Sequence, residues 1–101
     1  MTNKPINWIG SSLEDISNFP VSARRKAGFQ LHLIQKGEEP VDSKSMSVVG
    51  FGVKEIRIRT EDAYRVFYIA KFREAVYVLH AFQKKTQKTP KTDIEIGQRR
   101  Y

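Results

Sequence analysis

The clearest pattern of hydrophobic and polar positions lies in the second half of the chain, where three runs have the composition of β-strands. In the first run, VKEIRIRT, Ile56 and Ile58 alternate with charged residues, so this strand has one apolar and one charged face. The runs AYRVFYIAKF and AVYVLHAF follow, and the connectors EDA and RE are short enough for hairpins. The pattern predicts an antiparallel meander whose middle strand is apolar on both faces.

The start of the chain combines a short strand with a short helix. INWIG alternates apolar and polar positions and predicts the strand, while SSLEDISNF predicts the helix. Leu13, Ile16 and Phe19 supply the apolar side of this helix, and Ser11 and Glu14 have the spacing of an N-terminal capping box. A proline then interrupts the helix.

A second helix is predicted over VSARRKAGFQLHLIQKG, because its apolar positions recur at steps of four and three. The stripe consists of Ala23, Ala27, Leu31 and Ile34. Gly37 is the expected C-terminal stop of this helix.

Two later stretches are predicted to be loops. Residues 38–52 lack a sustained period, with the alternative that Val48 and Val49 begin a strand, and KKTQK also has no apolar period. Thr89 and Pro90 are expected to start a final helix that continues through DIEIGQRRY.

These elements give the order β-α-α-β-β-β-α and the fold class α+β. Because domains commonly run from about 50 to 250 residues, residues 1–101 are expected to form a single domain. The two helices are expected to pack on one face of a mostly antiparallel sheet, and the pattern leaves the other face unassigned.

The net charge of +7 and the pI of about 9.9 favour anionic partners, which are nucleic acid, an acidic protein or a membrane surface. The chain has no cysteine, so disulfides, thiolate metal sites and cysteine nucleophiles are excluded. No apolar run approaches the ~18 residues of a membrane span. The first residues lack the apolar segment of a signal peptide, and a cytoplasmic location is therefore expected.

Familiar catalytic motifs are missing from the sequence. It has no G-x-S-x-G elbow, no P-loop and no H-E-x-x-H pair, and we expect neither a metal nor another cofactor. Of the two histidines, His32 lies between leucines in a helix and is interpreted as structural or surface. His80 ends a strand beside a basic run, so it is a candidate for function, although packing is the more common role of such a residue.

Basic side chains close to aromatic ones are the main chemical feature. The basic residues are Lys54, Arg57, Arg59, Arg65, Lys71, Lys84 and Lys85, and Phe82 is the aromatic residue beside them. Arg57 and Arg59 share one strand face, and Arg65 neighbours them if the register allows. On a curved sheet these positions can line one concave basic face that binds phosphates, while rings stack on bases. The alternative is a solvent-exposed face whose cations pair with acidic residues such as Glu55.

The stretches VKEIRIRTEDAYRVFYIAKF and YVLHAFQKKTQKTPKTDIEIGQRRY resemble the RelE/ParE toxin superfamily, and in particular its HigB-like, phage-derived branch. The resemblance covers residues 50–101 closely and the upstream part by element order. The matching motifs are Lys54–Arg57, Tyr64–Tyr68, His80–Pro90 and Gln98–Tyr101.

This resemblance implies a RelE-like fold and an activity, the cleavage of messenger RNA on the ribosome. No metal takes part, because the 2′-hydroxyl of the RNA attacks the adjacent phosphorus. The candidate catalytic residues are Arg65, Arg57, Lys54, Lys84 and His80. The candidate RNA-binding residues are Lys85, Phe82, Lys71, Arg59 and Tyr101.

The resemblance also implies partners. They are a helix-turn-helix antitoxin (HigA-like), messenger RNA with the ribosome, and operator DNA only through the antitoxin; no membrane is expected. Two alternatives remain open: a ParE-like toxin that binds DNA gyrase without cleaving RNA, and a phage-derived protein that only binds its partner.

Overall fold

In the computed structural model, which describes residues 3–101, the chain folds into three helices and a five-stranded sheet. The elements are β1 (Ile6–Trp8), α1 (Ser12–Ser17), α2 (Val21–Gln35), β2 (Ser43–Ser45), β3 (Val53–Arg59), β4 (Ala63–Ile69), β5 (Val76–Lys84) and α3 (Lys91–Arg100).

The sheet has the strand order β1-β5-β4-β3-β2, and only the β1–β5 pair is parallel within the part of the chain described. The predicted class, α+β with a mostly antiparallel sheet, is confirmed, and so is the meander formed by β3, β4 and β5. In the β3–β4 register Arg57 lies opposite Arg65, and in the β4–β5 register Arg65 lies opposite Phe82.

The predicted element order lacks one strand. The stretch 38–52 was expected to be a loop, but Ser43–Ser45 forms β2, which pairs with β3 at the edge of the sheet. Ser-Lys-Ser has no hydrophobic signal, so only its backbone pairing creates this strand. The alternative that Val48 and Val49 begin a strand is wrong, since both lie in turns.

One face of the sheet is covered by α1 and α2, as predicted. The α2 stripe is buried together with Ile16 and Phe19 against the strands. Leu13 was expected on this apolar side but is 49% exposed. Ser12 takes the inward position instead, where its buried hydroxyl donates to the Val78 carbonyl oxygen at 3.0 Å.

The opposite face is covered in part by α3 and by the turn after β2. Met46 and Val49 from this turn form a second buried cluster with Phe67, and Ile94 of α3 packs against it. Gly97 lets α3 approach closely, because a Cβ there would lie 2.8 Å from Val49 Cγ1 and 3.0 Å from a ring carbon of Phe67. This close approach accounts for a glycine inside a helix.

Both predicted helix caps differ in detail. The Ser11 hydroxyl donates to the Asp15 carboxylate at 2.9 Å and makes no capping hydrogen bond, so the capping-box prediction is wrong. Pro90 occupies the N-cap position of α3, and the Thr89 hydroxyl donates to Glu55 Oε2 at 3.4 Å.

Across residues 3–101, every helix is too short or too polar to cross a lipid bilayer.

Candidate functional site

Three arginines meet at one end of the β3–β4 hairpin, on the face of the sheet opposite α2. They line a cavity of about 320 Å³, which we call the arginine pocket and which is formed by Asp42, Arg57, Ile58, Arg59 and Arg65. The β3–β4 register places Arg57 directly across from Arg65. Arg59 lies two residues further along β3 and therefore on the same face as Arg57, as predicted.

This concentration of positive charge is only partly neutralised. Like charges directly opposite on neighbouring strands are destabilising. Asp42 offsets the charge of Arg57, whose Nη2 and Nε lie 2.8 and 3.0 Å from Asp42 Oδ1. Within residues 3–101, Arg59 makes no ion pair. A bound anion would therefore relieve a repulsion that the fold itself leaves in place.

Arg65 and Glu55 form a buried pair behind the pocket. The side chains are 9% and 1% exposed, and Arg65 Nε lies 3.6 Å from Glu55 Oε1. Arg65 Nη1 donates to the Tyr64 carbonyl oxygen at 3.0 Å, while Nε has no hydrogen-bond partner in the described chain. Glu55 is too deeply buried to meet a substrate, so its action is to hold and balance Arg65.

The pKa of Arg65 is lowered, first by burial, and Glu55 opposes this by raising it. The positive charges of Arg57 and Arg59 lower the pKa of Arg65 further. An arginine stays protonated in proteins, so the shift expresses the unfavourable environment of its charge rather than a loss of that charge.

Lys84 approaches the pocket from the end of β5. It lies opposite Ala63 in the β4–β5 register. Partial desolvation lowers the pKa of Lys84, and the charge of Arg65 lowers it further. An ammonium group with a lowered pKa gives up a proton more readily than an ordinary lysine does. Lys85 follows β5 and is exposed.

His80 and Phe82 lie beneath the surface and are not presented to it. His80 is 6% exposed, its Nε2 is 2.7 Å from Asp93 Oδ1 of α3, and its Nδ1 is 4.0 Å from Asp15 Oδ2. Phe82 is 8% exposed and stacks on His80 with ring centres 5.1 Å apart. His80 therefore joins β5 to α3, and Phe82 lies opposite Arg65 on the neighbouring strand.

Lys54, Lys71 and Tyr101 lie elsewhere, so the expectation that all candidates line one basic face is wrong. Lys54 is opposite Tyr68, which belongs to the α1/α2 core, and it shares a cavity with Lys71. Because Lys54 and Arg57 are three residues apart in a strand, their side chains point to opposite faces.

Lys54, Lys71 and Tyr101 belong to a second surface, which we call the Lys71 corner. This surface also includes Phe51 and Phe72. Lys71 Nζ lies 4.3 Å from the centre of the Phe51 ring and 3.3 Å from the Phe51 carbonyl oxygen. The Tyr101 hydroxyl donates to the same oxygen at 2.7 Å. The Lys71 ammonium is therefore held by contacts within the protein.

Sequence reasoning missed Asp42, and it offered Glu55 as a partner for cations on a solvent-exposed face, whereas Glu55 is buried against Arg65. Asp42 lies in the stretch interpreted as a loop, where nothing marks one acidic residue above another. The position of Glu55 had a signal, because it is two residues from Arg57 and so shares its strand face. No group of three His, Cys, Asp or Glu side chains placed to hold a metal ion occurs in the described residues.

Fold and site together define a small basic α+β protein with an arginine-lined pocket. Residues 14–101 match the family described as "Phage derived protein Gp49-like (DUF891)", and the chain belongs to this family, which is RelE-like and toxin-like. Assignment to the HigB branch stays a prediction. A search of curated proteins gave no match.

Proposed function

We propose that this protein is the toxin of a type II toxin–antitoxin pair, an endoribonuclease that cleaves messenger RNA on the ribosome and so inhibits translation. The observation that carries the proposal is the arginine pocket, where Arg57, Arg59 and Arg65 converge with incomplete neutralisation. Guanidinium groups bind phosphate oxygens in a bidentate manner and stabilise the negative charge that develops there. Membership of a toxin-like family is compatible with this activity.

Cleavage by the 2′-hydroxyl needs a base, an acid and cations around the phosphorus. The arginines would hold the non-bridging oxygens. Asp42 is half exposed and lines the pocket, so its carboxylate can accept the proton of the 2′-hydroxyl. Lys84, with its lowered pKa, can protonate the leaving 5′-oxygen. In this scheme the bond from the 2′-oxygen to phosphorus forms as the bond to the 5′-oxygen breaks, leaving a 2′,3′-cyclic phosphate.

The roles of the other predicted residues change in this proposal. His80 and Phe82 support the site from below. Lys54, Lys71 and Tyr101 lie away from the reacting phosphate. A helix-turn-helix antitoxin remains the proposed partner, because a basic pocket left open in a cell would bind RNA.

The test compares two arginine substitutions, Arg59→Ala in the pocket and Arg73→Ala at an exposed position of the β4–β5 connection. Arg59 is preferred to Arg65 because Arg65→Ala would leave the Glu55 charge buried without its partner. Loss of one cation that acts in the transition state should slow cleavage about 10²- to 10³-fold. Arg73→Ala should cleave like the parent protein.

Cleavage is measured on programmed ribosomes by mapping RNA ends, and the cyclic phosphate is identified because alkaline phosphatase removes it only after acid has opened the ring. The products should be unchanged by EDTA when a ribosome-free RNA is used. Equal rates for Arg59→Ala and the parent would exclude the pocket as the reaction site. No cleavage by the parent protein, with or without ribosomes, would refute the nuclease proposal.

A further inference from the structure

A second concavity adjoins the arginine pocket. It lies between α2 and β3, measures about 430 Å³ and shares Asp42, Arg57, Ile58 and Arg59 with that pocket. We call it the Phe29 groove, because the Phe29 ring lies in it and is 56% exposed. A molecule that occupies the arginine pocket can therefore continue directly into the groove.

The walls of the groove are held in place. The Val41 amide donates to the buried Gln30 side-chain oxygen at 2.6 Å, which ties the stretch after α2 back to that helix. Lys26 Nζ donates to the Arg59 carbonyl oxygen at 2.8 Å, which ties α2 to the edge of the sheet. An exposed aromatic ring in a fixed setting loses little entropy when another ring stacks on it.

The groove is apolar in the middle and cationic around it. Phe29 and Val41 are large exposed apolar side chains, at 56% and 74%. Arg25 lies four residues before Phe29 and so on the same side of α2. Across residues 3–101, neither Arg25 nor Arg59 takes part in an ion pair. The matching ligand has a flat apolar part and negative charges on both sides of it.

A nucleotide in a single strand has this composition. From this we infer that the Phe29 groove binds one base of single-stranded RNA, stacked on Phe29, next to the phosphate in the arginine pocket. The inference rests on the proposed function and adds to it a subsite for the neighbouring nucleotide. Positive grooves with an aromatic platform bind single strands in this way, and their sequence preference is weak.

The other chemistry that suits a basic, apolar groove is an acidic amphipathic helix of a protein partner. Such a helix needs a row of apolar contacts at intervals of three and four residues. The groove offers one ring and one valine, and it opens into a polar pocket lined by three arginines. These features favour the nucleotide.

The experiment measures binding of hexanucleotides made of 2′-O-methyl RNA, which cannot be cleaved through the 2′-oxygen. One member of the set is complete, and each of the others lacks a single base. Fluorescence anisotropy gives the Kd for the parent protein, Phe29→Ala, Phe29→Trp and the control Phe51→Ala. Phe51 is a matched control because it is also an exposed phenylalanine, at 78%, but lies in the Lys71 corner.

Phe29→Ala should weaken binding of the complete strand roughly 5- to 150-fold, the range for loss of one stacked base. Phe29→Trp should keep the affinity, and Phe51→Ala should leave it unchanged. One abasic strand should bind the parent protein as weakly as the complete strand binds Phe29→Ala. That strand should lose nothing further on Phe29→Ala, because the base and the ring are partners.

Equal affinity of Phe29→Ala and the parent protein for the complete strand overturns the inference. It is also overturned if Phe29→Ala weakens a poly-glutamate peptide and not the oligonucleotide, since the groove would then belong to an acidic protein. Cleavage assays distinguish failure of the Phe29 subsite from failure of the proposed nuclease function. A parent protein that cleaves RNA, with an unaltered KM in Phe29→Ala, refutes the subsite alone. Stacking on Phe29 without any cleavage refutes the nuclease alone.

Discussion

The arginine pocket and the Lys71 corner both contain basic residues, but the contacts of these basic side chains differ. In the pocket, Arg57 and Arg65 face each other and Arg59 has no acidic partner within residues 3–101. In the corner, Lys71 lies against the Phe51 ring and a carbonyl oxygen. The two regions therefore differ in that three arginines converge in the pocket, whereas Lys71 is held by contacts within the protein.

The composition alone could not separate these two regions, because both contribute to the net charge of +7. What separates them is the set of contacts each cation makes. The following predictions test the difference, beginning with the largest expected effect.

Lys84→Arg should slow RNA cleavage about 10²- to 10⁴-fold, the usual contribution of a general acid, although it keeps the positive charge. An arginine does not release its proton. In the parent protein the rate should fall as pH rises through the Lys84 pKa, because only the ammonium form can act as acid. Since that pKa is lowered, the fall begins below the pH expected for an ordinary lysine.

The pH–rate profile of Lys84→Arg should lack this fall. The matched control is Lys71→Arg in the Lys71 corner, whose rate and pH profile should equal those of the parent protein. A parent-like rate for Lys84→Arg would remove Lys84 from proton transfer.

Glu55→Ala should lower the free energy of unfolding by about 3 kcal/mol, because Arg65 would keep a buried charge with no partner. Lys71→Ala should cost no more than about 1 kcal/mol, the value of a partly exposed cation–π contact. Urea unfolding followed by circular dichroism measures both.

The double variant Glu55→Ala with Arg65→Met should recover part of the lost stability, because it removes both charges. A double variant less stable than Glu55→Ala would show that Arg65 is stabilised by something other than Glu55.

Gly97→Ala should lower the free energy of unfolding by about 1 kcal/mol. Alanine favours a helix by roughly that amount, but the added Cβ overpacks against Val49 and Phe67, which costs about 1–3 kcal/mol. Helix α3 (Lys91–Arg100) lies between Thr89, which contacts Glu55, and Tyr101 of the Lys71 corner, so a shift of α3 should disturb both regions. Gly28→Ala, where an added Cβ meets nothing within 4 Å, is the control and should stabilise the protein. A Gly97→Ala protein as stable as the parent would mean that α3 tolerates displacement.

Much of the fold followed from periodicity. The alternation in VKEIRIRT and the short connectors predicted the β3–β4–β5 meander, and steps of three and four predicted α2. β2 could not be predicted because Ser43–Ser45 depends on pairing with β3. The cover on the second face was missed because it combines Met46 and Val49 of a turn with a helix that contains a glycine.

The residues of the candidate site could be predicted only from the rule that alternate side chains of a strand point to the same face. Arg57 and Arg59 are two residues apart and share the pocket, and the same rule places Lys54 on the other face. The position of Arg65 beside Arg57 depends on the β3–β4 register, and the composition of a hairpin does not determine its register. His80 and Phe82 are buried on the face of the sheet where α3 packs, and no local pattern in β5 predicts this packing.

The pairing of β1 with β5 has a consequence for the time at which the protein folds. In the parallel register Ile6 meets Val76, 70 residues later in the chain (76 − 6). At a synthesis rate of about 5–20 residues per second, β1 waits roughly 4–14 s for its partner. The β3–β4 hairpin can close on its own much earlier, in microseconds. All residues that line the arginine pocket lie between Asp42 and Arg65, so the pocket can form with this hairpin, before β5 and β1 complete the sheet.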